Sequence, residues 1–156
     1  MRSFIEKTGI QEYPGNPKNT ELGSAILKSG EVPTKFKVSG YGFPIVAGLL
    51  GNRDLIAKAL NTTKDKIIPF IEEKLKSPQK YTQVNKAGFM ENKIDVDSKT
   101  DLEKYLPVID YYKGKKYTTS SIVIVNFPGE PRQNASFHRM MHLGKNKFVI
   151  RIVEQR

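Results

Sequence analysis

The chain has 156 residues, enough for one domain or one domain with part of another, and 38% of them are hydrophobic, which permits a modest core. It has no cysteine, which excludes disulfides and thiolate metal sites. The net charge is +10, and residues 111–156 hold nine Lys/Arg against two acids. A basic segment of this kind attracts phosphates on a cofactor, a small substrate or a nucleic acid; the plain alternative is a solvated basic face.

No apolar run approaches the roughly 20 residues that a membrane span requires, so no membrane span is expected. The N-terminus lacks the apolar segment of a signal peptide, and the expected location is cytoplasmic.

From the N-terminus, Met1 to Lys7 can begin a short helix that Gly9, Pro14, Gly15 and Pro17 break off. Asn19-Thr20-Glu21 is a start signal for a helix over Leu22 to Lys28, with Leu22, Ala25 and Ile26 on one face. Thr34 to Val38 reads as a strand burying Phe36 and Val38, and Ile45 to Leu50 as a buried strand. Gly48 to Asp54 leads into a helix from about Arg53 to Leu60. The two glycines there fit an anion cradle, but a turn with a capped helix is the better reading of so short a signal. Thr62 or Thr63 caps the next helix, whose apolar stripe is Ile67, Ile68, Phe70, Ile71 and Leu75; Pro69 falls near its start and displaces it. Residues 77–99 are polar and irregular, with Val84, Phe89 and Ile94 as isolated anchors, and Asp101 to Tyr105 forms a helical turn.

The last forty residues carry the chemistry. Three apolar or alternating runs, Ser121 to Phe127, Ala135 to Leu143 and Lys147 to Val153, are separated by turn residues at Phe127 to Pro131 and Leu143 to Asn146. That pattern predicts antiparallel strands. Alternation puts Asn134, Ser136 and His138 on one face of the middle strand and Ala135, Phe137 and Arg139 on the other. Buried polar side chains are costly without a partner, so the first face is expected to meet something polar.

The N-x-S-x-x-R pattern of Asn134, Ser136 and Arg139, followed by the Gly144 to Lys147 turn and the strand bearing Arg151, resembles the UbiD family of prenylated-FMN-dependent decarboxylases, most closely its archaeal branch. The resemblance implies an α+β fold, with a small N-terminal α/β domain over residues 1–105. The first antiparallel strands of a split β-barrel flavin-binding domain follow over 106–156. It implies Asn134 as ligand of a divalent metal (Mn2+ or Mg2+, with K+ as a further ion) at the cofactor phosphate. It makes Ser136, Phe137 and His138 the cofactor lining and Arg139 the catalytic arginine, itself beside the cofactor. Arg151, Ile152, Val153 and Arg156 fall on positions that contact the cofactor in some members.

The implied reaction is reversible, non-oxidative loss of CO2 from an α,β-unsaturated or aromatic acid, with anhydromevalonate phosphate as one candidate. In the family, further metal ligands and the catalytic carboxylates come after the position of Arg156. The expectation is therefore an N-terminal portion or subunit that is inactive by itself. It would form a homo-oligomer or join a chain that supplies the rest.

Each of these residues also has a plainer reading. Asn134 after a proline-rich turn can bond its own backbone, and Arg139 can be a surface arginine. His138 and His142 lie about 13 Å apart on a strand, too far to share a metal, and for His142 an ordinary hydrogen-bonded role is preferred. Ser136 has no nucleophile-elbow motif, so hydrolase chemistry lacks support. Tyr111, Tyr112 and Tyr117 among lysines imitate a nucleic-acid platform, although packing explains them as well and no nucleic-acid partner is expected. The alternative to the lyase is a non-catalytic basic module that binds a flavin or nucleic acid.

Overall fold

The computed structural model describes every residue except Met1, Tyr81, Pro131, Arg132 and residues 153–156. The chain is α+β and divides into two compact units. One comprises Met1–Pro14, Lys28–Lys35 and Val46–Asp95; the other comprises Gly15–Leu27, Phe36–Ile45 and Val96–Arg156. No helix among the described residues is long and apolar enough to cross a membrane.

The first unit contains helix α1 (Arg2–Thr8), and its strand β1 (Gln11–Glu12) pairs in parallel with β2 (Thr34–Phe36). With β3 (Ile45–Ala47) these make a three-stranded sheet in the order β1-β2-β3. The strand expected over Ile45 to Leu50 is shorter and less buried than its apolar sequence suggests. Gly48 turns the chain at φ 76°, which leaves Leu50 in a turn at 57% exposure.

The glycines at 48 and 51 are required by close packing. An added Cβ would lie 2.6 Å from the Val32 carbonyl oxygen at Gly48 and 2.8 Å from that of Glu31 at Gly51. Helix α3 (Arg53–Ala59) follows, capped by Asn52, whose side-chain oxygen accepts from the Leu55 N–H at 3.0 Å. The capped-helix reading of this glycine pair therefore holds. A 3-10 turn over Lys64–Lys66 leads into α4 (Ile67–Lys76), so Pro69 lies in the first turn, where its missing N–H does no harm. Val84, Phe89 and Ile94, expected as anchors, are exposed instead, Phe89 at 83%. Among its described residues the segment around them has no strand or long helix to bury a side chain against, only a 3-10 turn at Gly88–Glu91.

The second unit holds a 3-10 turn at Asn19–Glu21 that runs into α2 (Leu22–Ser29), whose Leu22 and Ala25 are buried one turn apart. Phe36, Val38 and Val108 are buried in the same unit; Val38 follows the end of β2 but keeps the alternate burial expected of it. The rest of the unit is a four-stranded antiparallel sheet in sequence order, β4 (Ile109–Tyr112), β5 (Lys115–Asn126), β6 (Gln133–Gly144) and β7 (Lys147–Ile150). It is an open sheet, and no closed barrel forms among the described residues. Lys113 and Gly114, both at positive φ (46° and 77°), make the two-residue β4–β5 turn, whose twist suits a hairpin.

Candidate functional site

The site is built on the β5–β6 hairpin. Val125 faces Asn134, Val123 faces Ser136 and Ser121 faces His138, so these six residues share one side of the ribbon. Ile124 faces Ala135 and Ile122 faces Phe137 on the other side. Between the pairs Thr118–Met140 and Ser121–His138, β5 advances three residues while β6 advances two. That is a bulge, and the residue opposite it is Arg139. Bulges bend a strand, raise its twist and re-aim nearby side chains, and they are common beside active sites.

The predicted site residues separate by face and by strand. Asn134, Ser136 and His138 come together on one side, and a hydrogen bond of 2.8 Å joins Ser136 Oγ to His138 Nε2. Phe137 and Arg139 belong by alternation to the other side, with Phe137 76% exposed. Asn134 and Arg139 are roughly 17 Å apart along the strand, five residues of extended chain. Arg151 and Ile152 follow β7 and are exposed; Val153 and Arg156 lie outside the described residues. His142 is not part of this group. Its Nε2 lies 2.9 Å from the Lys145 carbonyl oxygen, and its ring stands 4.9 Å from that of Phe148.

A second polar constellation went unread in the sequence. Asn19 Nδ2 donates to the Val108 carbonyl (2.8 Å) and to Tyr41 Oη (3.0 Å), while its Oδ1 accepts from the Asp110 N–H (3.0 Å). Tyr41 Oη donates to the same Val108 carbonyl at 2.7 Å. Burial raises the Tyr41 phenol above its ordinary pKa, the charge of Glu103 adds to the rise, and the hydrogen bonds to Val108 and Asn19 oppose it. These groups border a cleft of about 480 Å³, where Lys116 also pairs with Glu103. Both side-chain polar atoms of Asn19 are engaged, with Tyr41, Val108 and Asp110. The constellation therefore fixes the entry to the sheet. Asn19 was legible as a helix start, but nothing in the sequence signalled a bond to a residue 89 positions away.

A flavin phosphate with a divalent metal would need oxygen donors, and Asn134 offers an amide oxygen of the kind hard cations accept. No group of three or more His, Cys, Asp or Glu that could hold a metal occurs among the described residues. Asn134 would therefore be one donor to such a site among the described residues. The polar side of the ribbon, with Val123 and Val125 among Asn134, Ser136 and His138, suits a ligand that is part apolar and part charged.

Comparison with known proteins agrees with this architecture. Residues 80–156 match the family described as UbiD, 3-octaprenyl-4-hydroxybenzoate carboxy-lyase Rift-related domain. An anhydromevalonate phosphate decarboxylase of Methanosarcina mazei is 33% identical over 136 residues, which is 85% of this chain and 30% of that protein. The enzyme of the same name from Methanothermobacter thermautotrophicus is 25% identical over 173 residues, 98% of this chain and 36% of that protein. The chain therefore spans about a third of the length of these curated relatives.

Among solved structures, the UbiD-class enzyme HmfF from Pelotomaculum thermopropionicum in complex with FMN superposes with a TM-score of 0.85 at 23% identity, covering 99% of this chain and 37% of that one. An evolved dimeric form of HmfF in complex with prenylated FMN gives 0.83 at 24% identity, over 97% and 37%. The fold is that of the UbiD class, the β5–β6 hairpin lies inside the matched segment, and the chain belongs to the UbiD family.

Proposed function

We propose that this chain supplies the cofactor-facing strands of a UbiD-type carboxy-lyase that removes CO2 reversibly from an α,β-unsaturated or aromatic acid using prenylated FMN. The observation that carries the reading is β6 itself. It sets Asn134, Ser136 and His138 on one face and Arg139 opposite a bulge, within the segment that matches the family. The archaeal relatives make anhydromevalonate phosphate the first substrate to test, and a phosphorylated acid suits the basic balance of residues 111–156.

In this reading Asn134 gives an oxygen to a divalent ion, Mn2+ or Mg2+, at the cofactor phosphate, and Ser136 and His138 line the cofactor beside it. Arg151 and Ile152 extend the lining beyond β7. The bound flavin supplies the electron sink that no side chain offers. Arg139 presents a planar fork of donors, which grips a carboxylate in two places and holds the scissile bond in line. One amide oxygen does not make a metal site, so the remaining ligands and the acid–base carboxylate come from further polypeptide. The uncovered faces and edges of the β5–β6 ribbon are where that polypeptide, or another protomer, would pack.

The two residues act through different terms and are expected to fail differently in the reconstituted enzyme. Asn134→Ala loses flavin and metal together, and activity falls as a consequence. Arg139→Lys keeps the flavin while turnover drops by about 10²-fold or more, as for other misplaced positioning groups. Normal turnover by Arg139→Lys, or full flavin and metal content in Asn134→Ala, would refute the assignment.

A further inference from the structure

The two histidines of the chain, both on β6, make hydrogen bonds of different kinds. His142 Nε2 faces the Lys145 carbonyl, which only accepts, so that nitrogen carries a hydrogen in every protonation state. His138 Nε2 faces the Ser136 hydroxyl, which donates or accepts. With the ring neutral and Nε2 bare, Ser136 spends its hydrogen on the imidazole and turns only lone pairs outward. Once the ring is protonated, Nε2–H must donate, the hydroxyl oxygen accepts, and the hydroxyl hydrogen is released toward whatever lies on the Asn134 face.

We infer that Ser136 and His138 form a proton-relayed donor for a phosphoryl group, with Ser136 making the contact and His138 acting through it as a positioning residue. The inference rests on the proposed reading of this face as the cofactor side, and it adds how the contact there is switched.

The surroundings favour such a relay. On His138's own face the adjacent described residues are Ser136 and Met140 of β6 with Ser121 and Val123 of β5, none of which titrates. Lys116 and Asp110 share that face farther along, toward the β4–β5 turn, where they pair with each other in register. Among the described residues, the charged side chains that neighbour His138 along the sheet are Arg139, on the opposite face, and Arg151, just past β7. Arginine keeps its charge over about pH 5 to 8, where imidazole changes its own, so among the described residues beside it the ring is the group that switches. The sign follows directly. An oxyanion whose own charge is constant over this range binds tightest with the ring protonated, and its affinity declines as pH rises; a phosphate monoester gains charge near pH 6, which opposes that decline.

The test is NMR titration of both histidines in the full 156-residue chain, with sulfate as a tetrahedral oxyanion that does not itself titrate and chloride holding ionic strength constant. Sulfate is expected to raise the titration midpoint of His138 and leave that of His142 unmoved. By reciprocity, sulfate binding should tighten about fivefold or more from pH 8 to pH 5.5. Ser136→Ala should abolish most of this coupling although the imidazolium charge remains, and Ser136→Thr should restore it.

Equal coupling in Ser136→Ala would reduce the effect to bare charge and overturn the relay, as would a His138 midpoint indifferent to sulfate. Separate arms with FMN, riboflavin and methyl phosphate distinguish a cofactor phosphate from a substrate phosphate. FMN binding with no coupling at His138 sinks the relay but spares the proposed function. Coupling to sulfate with no flavin binding does the reverse.

Discussion

The two ends of the β5–β6 hairpin are built differently. At the end nearest the β4–β5 turn, β4 and β7 flank the pair, Thr118 is buried at 7% exposure, and Asn19 ties the neighbouring β4 to the start of α2. At the far end, over 121–126 and 133–138, the described residues form a two-stranded ribbon with no third strand. Ile122, Ile124 and Phe137 stand 58%, 63% and 76% exposed. That ribbon also carries no Lys, Arg, Asp or Glu, whereas natural sheet edges are usually blunted by lysine, proline or a bulge. A lone two-stranded ribbon is marginal in water. The anchored end is specified by its own contacts, while the far end, which holds Asn134, Ser136 and His138, is held among the described residues by strand pairing within the ribbon.

The largest expected effect sets two phenylalanines against each other. Phe36 is fully buried, so Phe36→Ala should lose about 3–5 kcal/mol in chemical denaturation. Phe137→Ala should change stability by less than about 0.5 kcal/mol, because its ring already faces water. Similar losses at both positions would mean that the ribbon is covered and the comparison false.

Asn19→Ala is expected to cost about 1–3 kcal/mol by leaving the Asp110 N–H without its acceptor and the Tyr41 hydroxyl without its donor. Urea unfolding checks this, with the slope against denaturant reporting whether β4 stays docked. Tyr41 adds a pH signature. Its phenol holds its proton more tightly in the folded chain, so its contribution is fully present below the ordinary phenol pKa of 10.0 and is lost as pH rises through the folded value. Alkaline unfolding curves of Tyr41→Phe should lack that fall. The smallest effect is at the turn. Lys113 holds a positive φ that asparagine adopts more easily, so Lys113→Asn should stabilise the anchored end by roughly 0.5 kcal/mol, read as a rise in midpoint.

Much of this was legible in the residues. Asn52 before Arg53 and the turn at Lys145–Asn146 marked their elements, because a cap or turn is chosen by a few adjacent side chains. Thr63, one of two residues expected to cap α4, instead precedes the 3-10 turn at Lys64–Lys66 without a side-chain cap bond, and Lys66 stands at the start of α4. The alternation of Asn134, Ser136 and His138 against Phe137 and Arg139 appeared as read, since strand period alone dictates it. Features set by backbone pairing were not legible. β5 starts at Lys115, well before its apolar run, because β4 and the positive-φ turn extend the ladder across polar residues. β1 exists through bonds from Gln11 and Tyr13 to the carbonyls of Pro33 and Lys35. The bulge opposite Arg139 leaves no mark in an alternation that continues on both sides of it.

Amide hydrogen exchange along β5 and β6 tests the central claim most directly. It would be measured first on the 156-residue chain, then with prenylated FMN in the presence of a polypeptide corresponding to the remaining two thirds of a UbiD-class relative. Amides at 117–118 and 140–142 should exchange slowly in both states. Those at 121–126 and 133–138 should exchange fast in the chain alone and slow by at least about tenfold once the flavin is bound. Strong protection of the far end in the chain alone, or bound flavin that leaves 133–138 as fast as before, would contradict the account.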